Sequence, residues 1–398
     1  MCFGSTVTYK LTLNLSLGNI SKGETLTMTK NDQVELSTEI GPNWFAAVMG
    51  TGIIANALAT LPYIGKQLVN VGIAIWLLAF SMLIVMVLLK VFQAIVKPHI
   101  IKRQLNDPIM AQFFGAPPMA LLTVAGGTIL YGNHLLSEPT TLTIAWVLWG
   151  FGTLSGLIVS VAIPYRLFTH YEVRDDGAFG GWLMPVVPPM VSAAIGAMLI
   201  PYIANPEIQR LMLYGCYAMF GVSLFSAFII ITLIWSRLAH SGTSGGPRVP
   251  TLWIVLGPLG QSITAAGLLG TAALLVVEGP IGDSMNNMAI IYGVPIWGFA
   301  FFWSILVSLI TLRTLRNKMP FALTWWAFTF PVGTCVTGTI QLAIHTDLDV
   351  FRWAAVILFI GLFISWIVAA VGTIKGIKQG HIIKNSITPV HAVSKKGK

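Results

Sequence analysis

Ten apolar segments punctuate the chain, at roughly 43–60, 70–90, 117–133, 140–163, 182–203, 211–235, 251–277, 291–312, 321–344 and 353–374. A helix of about 20 apolar residues crosses a bilayer, so each predicts a membrane span. The segments are of two kinds. Odd-numbered ones contain or begin with proline and continue into small residues: GPNWFAAVMGTG, GAPPMALLTVAGG, MPVVPPMVSAAIG, LGPLGQSITAAG and FPVGTCVTGT. Even-numbered ones, such as VGIAIWLLAFSMLIVMVLL and GFAFFWSILVSLITL, are bulky and apolar on most faces, as lipid-facing helices should be. Taking Pro42, Pro118, Pro189, Pro258 and Pro331 as anchors, the spacings are 76, 71, 69 and 73 residues. A period near seventy predicts a five-fold repeat with one helical hairpin per unit. Mostly short connections (LPYIGKQLV, LSEPT, ANPEIQ) follow the odd segments and pair them with their successors. The expected fold is an all-α polytopic membrane protein of ten transmembrane helices. Five inner helices, kinked at Pro118, Pro189, Pro258 and Pro331 among others, surround a central pore, and five straighter ones lie outside.

The ninth segment carries the most information. It has no charge from Phe321 to Ile344, and at helical spacing Phe330, Gly333, Thr334, Thr337, Gly338 and Gln341 share one face. A narrow, weakly polar stripe headed by one large ring reads as a lined passage with a constriction. The same small residues also serve close helix packing, and for one helix alone the pattern does not separate the two uses. The seventh segment repeats it with Gly257, Gly260, Gln261, Thr264 and Thr271. Smaller stripes follow: Gly50 with Ala46, Ala47 and Ala57 in the first segment, Thr123 with Ala120 and Gly127 in the third, Ser192 with Ala193 and Gly196 in the fifth.

Composition fits a membrane protein. Of 398 residues 55% are hydrophobic and 9% charged, with mean hydropathy +0.79, where soluble domains carry about 25% charged residues. A net charge of +9 raises nucleic acid as a partner, but the placement of the charges argues against it. With the amino terminus inside, 20 of the 23 Lys and Arg residues fall on the cytoplasmic side, against Lys66, Arg210 and Arg352 on the other. That bias predicts an even number of spans with both termini cytoplasmic, in the plasma membrane. The predicted organisation is a cytoplasmic tail over 1–40, a membrane domain over 41–376, and a basic cytoplasmic tail over 377–398 that touches anionic lipid heads. Residues 1–42 have no signal-peptide pattern, and Met28 is an alternative start that leaves 1–27 untranslated. Cys2, Cys216 and Cys335 show neither metal-ligand nor disulfide spacing.

No Asp, Glu, Lys or Arg falls in the core of any segment, which counts against a coupling site deep in the membrane. An anion needs only donors and positive potential, and Thr, Ser, Gln and helix amino-terminal N–H groups supply both. Titratable groups such as His134, Glu138, His345, Asp347 and His170 sit near segment ends. There is no HExxH, no GxSxG in a hydrolase context, no GxxxxGK[ST] and no paired carboxylates, so neither an enzyme nor a cofactor or metal is expected.

GPNWFAAVMGTGIIANAL, LGPLGQS and WWAFTFPVGT, in that order, resemble the tellurite-resistance/dicarboxylate transporter family. Plant guard-cell slow anion channels, a bacterial tellurite-resistance protein, fungal malate permeases and fungal sulfite exporters belong to it. The likeness runs over about residues 41–375. It implies a pore through five inner helices inside an outer helical ring, one pore per subunit of a homotrimer, blocked by a phenylalanine that corresponds to Phe330. LGPLGQS and FPVGT look nearer to the sulfite and malate branch than to the plant channels, whose long regulatory tails this chain lacks. The resulting expectation is a channel or uniporter-like protein for sulfite, a C4-dicarboxylate or inorganic anions. A proton-coupled malate or sulfite carrier and a non-transporting scaffold are the alternatives. Weakly polar walls do not encode the substrate.

Overall fold

The computed structural model describes residues 39–243 and 246–379. The expected amino-terminal tail through residue 38, Met28 with it, and the basic tail from residue 380 lie outside the described residues. The described residues from Ile40 form one unit, and its regular elements are all helical, without β-sheet. Its helices are α1 Phe45–Thr60, α2 Val69–Val96, α3 Pro98–Asn106, α4 Ala116–Tyr131, α5 Glu138–Thr169, α6 Pro188–Leu199, α7 Pro206–Ser241, α8 Leu256–Val276, α9 Pro280–Arg316, α10 Phe330–Thr346 and α11 Asp349–Lys378.

Burial divides them as their side chains dictate. In the stretches holding α8 and α10, 78% of the most apolar window is buried, and 67% in that of α4, against 17–28% for α2, α5, α7, α9 and α11. The small-residue helices are therefore central, and the bulky ones face outward with Phe168, Phe225 and Ile291 exposed. Neighbour relations close on themselves: α1 packs on α4, α4 on α6, α6 on α8, α8 on α10, and α10 again on α1. Each of α2, α5, α7, α9 and α11 lies against the central helix before it and also touches the next one, with α11 returning to α1.

Two sequence expectations need correction. Among the described residues, eight stretches are long and apolar enough to cross a membrane, so length and composition support eight of the ten expected spans. Helix α1 has 16 residues and α6 only 12, about 24 and 18 Å at 1.5 Å per residue. Pro185, Pro188, Pro189 and Pro201 confine α6, because each removes a backbone donor or clashes with the preceding turn. Second, Pro118, Pro189, Pro258 and Pro331 do not kink helices. They sit in the first turns of α4, α6, α8 and α10, where the missing N–H has no intrahelical partner to lose. Before each central helix the chain runs through a 3-10 segment: Pro42–Trp44, Met110–Gly115, Gly180–Leu183, Gly246–Val255 and Leu323–Phe328. Prolines inside an α-helix occur instead in α5 (Pro164) and α9 (Pro295).

Indole and phenol groups tie the layers together. Trp149 of α5 donates to Ser192 O (2.9 Å), Trp297 of α9 to Thr339 Oγ1 (3.0 Å) and Trp366 of α11 to Thr51 Oγ1 (3.1 Å). Tyr131 of α4 donates to Ala55 O (2.9 Å) and Trp303 to Leu252 O (3.1 Å). Such bonds between apolar helices contribute about 0.6–2 kcal/mol each. Lys90 Nζ reaches Ile40 O (3.0 Å) and Gln104 Oε1 (2.5 Å), anchoring amphipathic α3 below the start of α1.

The closest helix contact depends on an absent Cβ. A Cβ on Gly260 would run into the backbone of Thr334 and Cys335, and one on Gly338 would meet Gly260 O and Ile263. Gly260→Ala should therefore lower the melting temperature of the detergent-solubilised protein, by an overpacking cost of about 1–3 kcal/mol. Gly150→Ala, where a Cβ meets nothing within 4 Å, should be neutral or stabilising by up to about 1 kcal/mol. Equal melting temperatures for the two variants would contradict the α8–α10 contact.

Candidate functional site: two cavities on either side of Phe330

The central helices enclose two cavities. The first, about 610 Å³ counting the open space it joins, is lined by Ala46 and Met49 of α1, Met119 of α4, Met184 and Val187 ahead of α6, Gly257 and Pro258 of α8, and Phe330 and Pro331 of α10. Thr251, Leu323, Trp326 and Ala327 of the 3-10 segments complete it. Most of these residues belong to first helical turns or to the turns just before them. All five central helices therefore point their amino-terminal ends toward this space, and each end carries roughly half a positive charge. Asn43, Phe113, Ile254 and Thr324 also line it, and apart from Asn43, Thr251 and Thr324 the wall is largely apolar.

The second cavity, about 600 Å³, is lined further along the same five helices. Ile53, Asn56 and Thr60 come from α1, Thr123 and Gly126 from α4, Val191 and Ile195 from α6, Gln261 and Thr264 from α8, and Thr337 and Gln341 from α10. It is the more polar of the two in side-chain chemistry. Thr264 and Thr337 hydroxyls lie 2.7 Å apart, and both also contact carbonyls of their own helices, Gly260 O at 3.0 Å and Thr334 O at 3.1 Å. Asn56 Nδ2 donates to Thr123 O at 3.0 Å. Neither wall includes an ionisable side chain.

Phe330 is the one residue that the two cavities have in common. It opens α10, is 5% exposed, and belongs to the central apolar cluster. The turn that aims it is fixed locally: Thr329 donates its hydroxyl to Trp326 O at 2.6 Å, and Trp326 donates its indole N–H to Thr373 of α11 at 3.0 Å.

The residues expected on the passage divide into two sets. Gln261, Thr264, Thr337, Gln341 and Thr123 line the second cavity, and Phe330 lines both. Gly50, Ser192, Gly260, Gly333, Thr334 and Gly338 are in helix contacts instead. A Cβ on Gly50 would meet Thr329 and Trp326, and one on Gly333 would meet Ile53. Thr334 donates to carbonyls at Pro331 and Gly257 (2.7 and 3.2 Å), and Ser192 donates to Pro188 O at 3.1 Å. A helix turning 100° per residue spreads an eleven-residue stripe around more of its surface than one narrow cavity touches. Asn56 and the methionines of the first cavity escaped the sequence reading. A lone carboxamide in the uncharged stretch TGIIANAL was the available signal for Asn56. His345 lies beside both Gln341 O (2.8 Å) and Asn286 Oδ1 (3.2 Å), off both cavity walls.

A bundle of long apolar helices around uncharged, partly polar cavities is the build of a polytopic membrane transport protein. Comparison with known proteins makes the class specific: the chain belongs to the SLAC1 voltage-dependent anion channel family, whose sequence profile matches residues 39–374. This is the family that the three sequence motifs indicated. An uncharacterized transporter of Methanocaldococcus jannaschii is 25% identical over 87% of this chain and 97% of its own length. The sulfite efflux pump SSU1 of Trichophyton rubrum is 26% identical over 81% of this chain and 87% of its own. The malic acid transport protein of Schizosaccharomyces pombe is 20% identical over 82% and 75%.

Cysteines placed in the two cavities should be reachable from opposite faces of the membrane. With Cys2 replaced by serine and Cys216 and Cys335 buried, a membrane-impermeant thiol reagent should modify Ala46→Cys from one side and Thr60→Cys from the other. Modification of both from the same side would contradict a division at Phe330.

Proposed function

We propose that the two cavities are the halves of one anion path and that the Phe330 ring is its gate. The observation that carries this reading is the single residue shared by two cavities that all five central helices line. Converging helix amino termini favour negative charge in the first cavity, and carboxamides with a hydroxyl pair offer hydrogen bonds in the second. The basic residues on the connections leading into the central helices, among them Lys97, Lys102, Arg103, Arg174, Arg248, Arg313 and Arg316, support a cytoplasmic first cavity and cytoplasmic termini. They would also concentrate anions at that mouth. The names of the fungal relatives favour sulfite or a C4-dicarboxylate as cargo, carried across the plasma membrane.

A proton-coupled carrier is the second reading, suggested by the malic acid transport protein. Proton coupling requires a titratable group that meets the cargo, and neither cavity wall has one. Passive flow down the electrochemical gradient is the better-supported mode.

Phe330→Ala should raise sulfite flux into proteoliposomes, on the order of tenfold if the ring contributes ~1.4 kcal/mol to the barrier. Folded Phe330→Ala protein with flux at or below wild type would contradict the gate. At fixed external pH and membrane potential, dissipating a proton gradient should leave the initial wild-type influx unchanged, whereas a coupled carrier would slow.

A further inference from the structure

The second cavity contains two polar side chains whose hydrogen-bonding capacity is unused. Gln261 is 4% exposed and Gln341 9% exposed, both line this cavity, and neither side chain has a protein partner among the described residues. Their neighbours differ. Thr264 and Thr337 are satisfied by each other and by carbonyls at Gly260 and Thr334. Asn56 is held by Thr123 O, and its Oδ1 is enclosed without a partner and sealed from the space. Buried carboxamides without partners are costly unless something arrives to meet them.

Their placement is ordered along the path. Gly260 abuts Cys335, which puts Gln261 about five residues past Phe330, or about 7–8 Å at helical rise. Gln341 lies eleven residues past Phe330, about 16 Å along α10. A Cβ on Gly267 would strike Gln341 at 2.6–2.9 Å, so glycine there is what leaves room for the Gln341 side chain against α8. The threonine pair sits between the two levels, as its bonds to Gly260 and Thr334 carbonyls require.

The chemistry of a carboxamide is specific. It presents N–H donors and an acceptor oxygen together, whereas Arg and Lys offer donors alone. A halide can use only the donors and leaves the oxygen facing an anion. An oxyanion that still carries one proton uses both: its ionised oxygens accept from Nε2 and its O–H donates to Oε1. Charge magnitude points the same way. The desolvation penalty of an ion grows with the square of its charge, and the cavity holds no cation to offset a dianion.

We propose that Gln261 and Gln341 form a two-step selectivity ladder that recognises singly charged, protonated oxyanions, hydrogen sulfite or a hydrogen dicarboxylate in type, over halides and over the fully ionised dianions. The proposal rests on the reading of the cavities as one anion path. The anion keeps its proton throughout, and passes from Gln261 to Gln341 by exchanging one carboxamide for the next.

The test is flux into proteoliposomes of sulfite and of chloride, at pH values on either side of the second ionisation of sulfurous acid. It compares wild type with Gln261→Leu and Gln341→Leu, and with Gln261→Met and Gln341→Met as same-length variants, each checked for a monodisperse elution profile. Wild-type sulfite flux should follow the hydrogen sulfite fraction and fall as pH rises. The sulfite-to-chloride ratio should drop at least about tenfold in each glutamine variant, the scale of one lost hydrogen bond. An unchanged ratio in folded Leu and Met variants, or sulfite flux that grows with the dianion fraction, overturns the ladder while leaving the gate reading intact. Wild-type protein that carries neither anion overturns both.

Discussion

A helix that begins inside an apolar bundle must dispose of its first N–H groups without water, and that constraint shapes this structure. The five central helices meet it alike: a 3-10 segment leads in, and in four of them proline occupies the first turn, where it takes away a donor that would otherwise be orphaned. Because the device recurs about every seventy residues, the five starts gather at one end of the bundle. Their summed dipoles make that end the electropositive one without any charged side chain on the wall. In the proposed anion path, binding potential would thus come from backbone orientation, leaving side chains free to set width and selectivity.

Much of this was legible in the sequence, because it depends on residue size and periodicity. Bulky stretches became the outer helices, and the small-residue stretches became the central ones. Three motifs pointed to the right family, and the stripe on the ninth segment led to Phe330. What was not legible depends on rotation and depth. Gly333, Thr334 and Gly338 share a helical face with Gln341, yet they meet Ile53, the carbonyls of α8 and Gly260 before the cavity is reached. The sequence pattern alone does not say how far a helix leans toward its neighbour. Proline showed the same limit. Its presence near each odd segment was plain, but whether it bends a helix or starts one depends on where the preceding turn tightens.

The short helices α1 and α6 mark the places where length and function part company. At 16 and 12 residues they fall below the span of a bilayer core of about 30 Å, and the missing length is made up by irregular backbone, as with the 3-10 segment Gly180–Leu183 and the turn after it, from which Met184 and Val187 line the first cavity. Irregular backbone at that depth is tolerated where it faces a cavity or protein and not lipid. The outer helices, at 28 to 37 residues, take over the contact with lipid, and their indole bonds to the core hold the broken inner layer in register.

The thinness of the partition between the cavities has an electrical consequence. On the proposed reading of Phe330 as the gate between two electrolyte-filled spaces, each space would sit close to the potential of the bulk phase it joins, and the transmembrane voltage would fall almost wholly across a single benzene ring. A monovalent ion slipping past that ring therefore crosses nearly the full field in one move, about 2.3 kcal/mol per 100 mV. On that reading rectification would arise from one side chain, within central helices that carry no Asp, Glu, Lys or Arg.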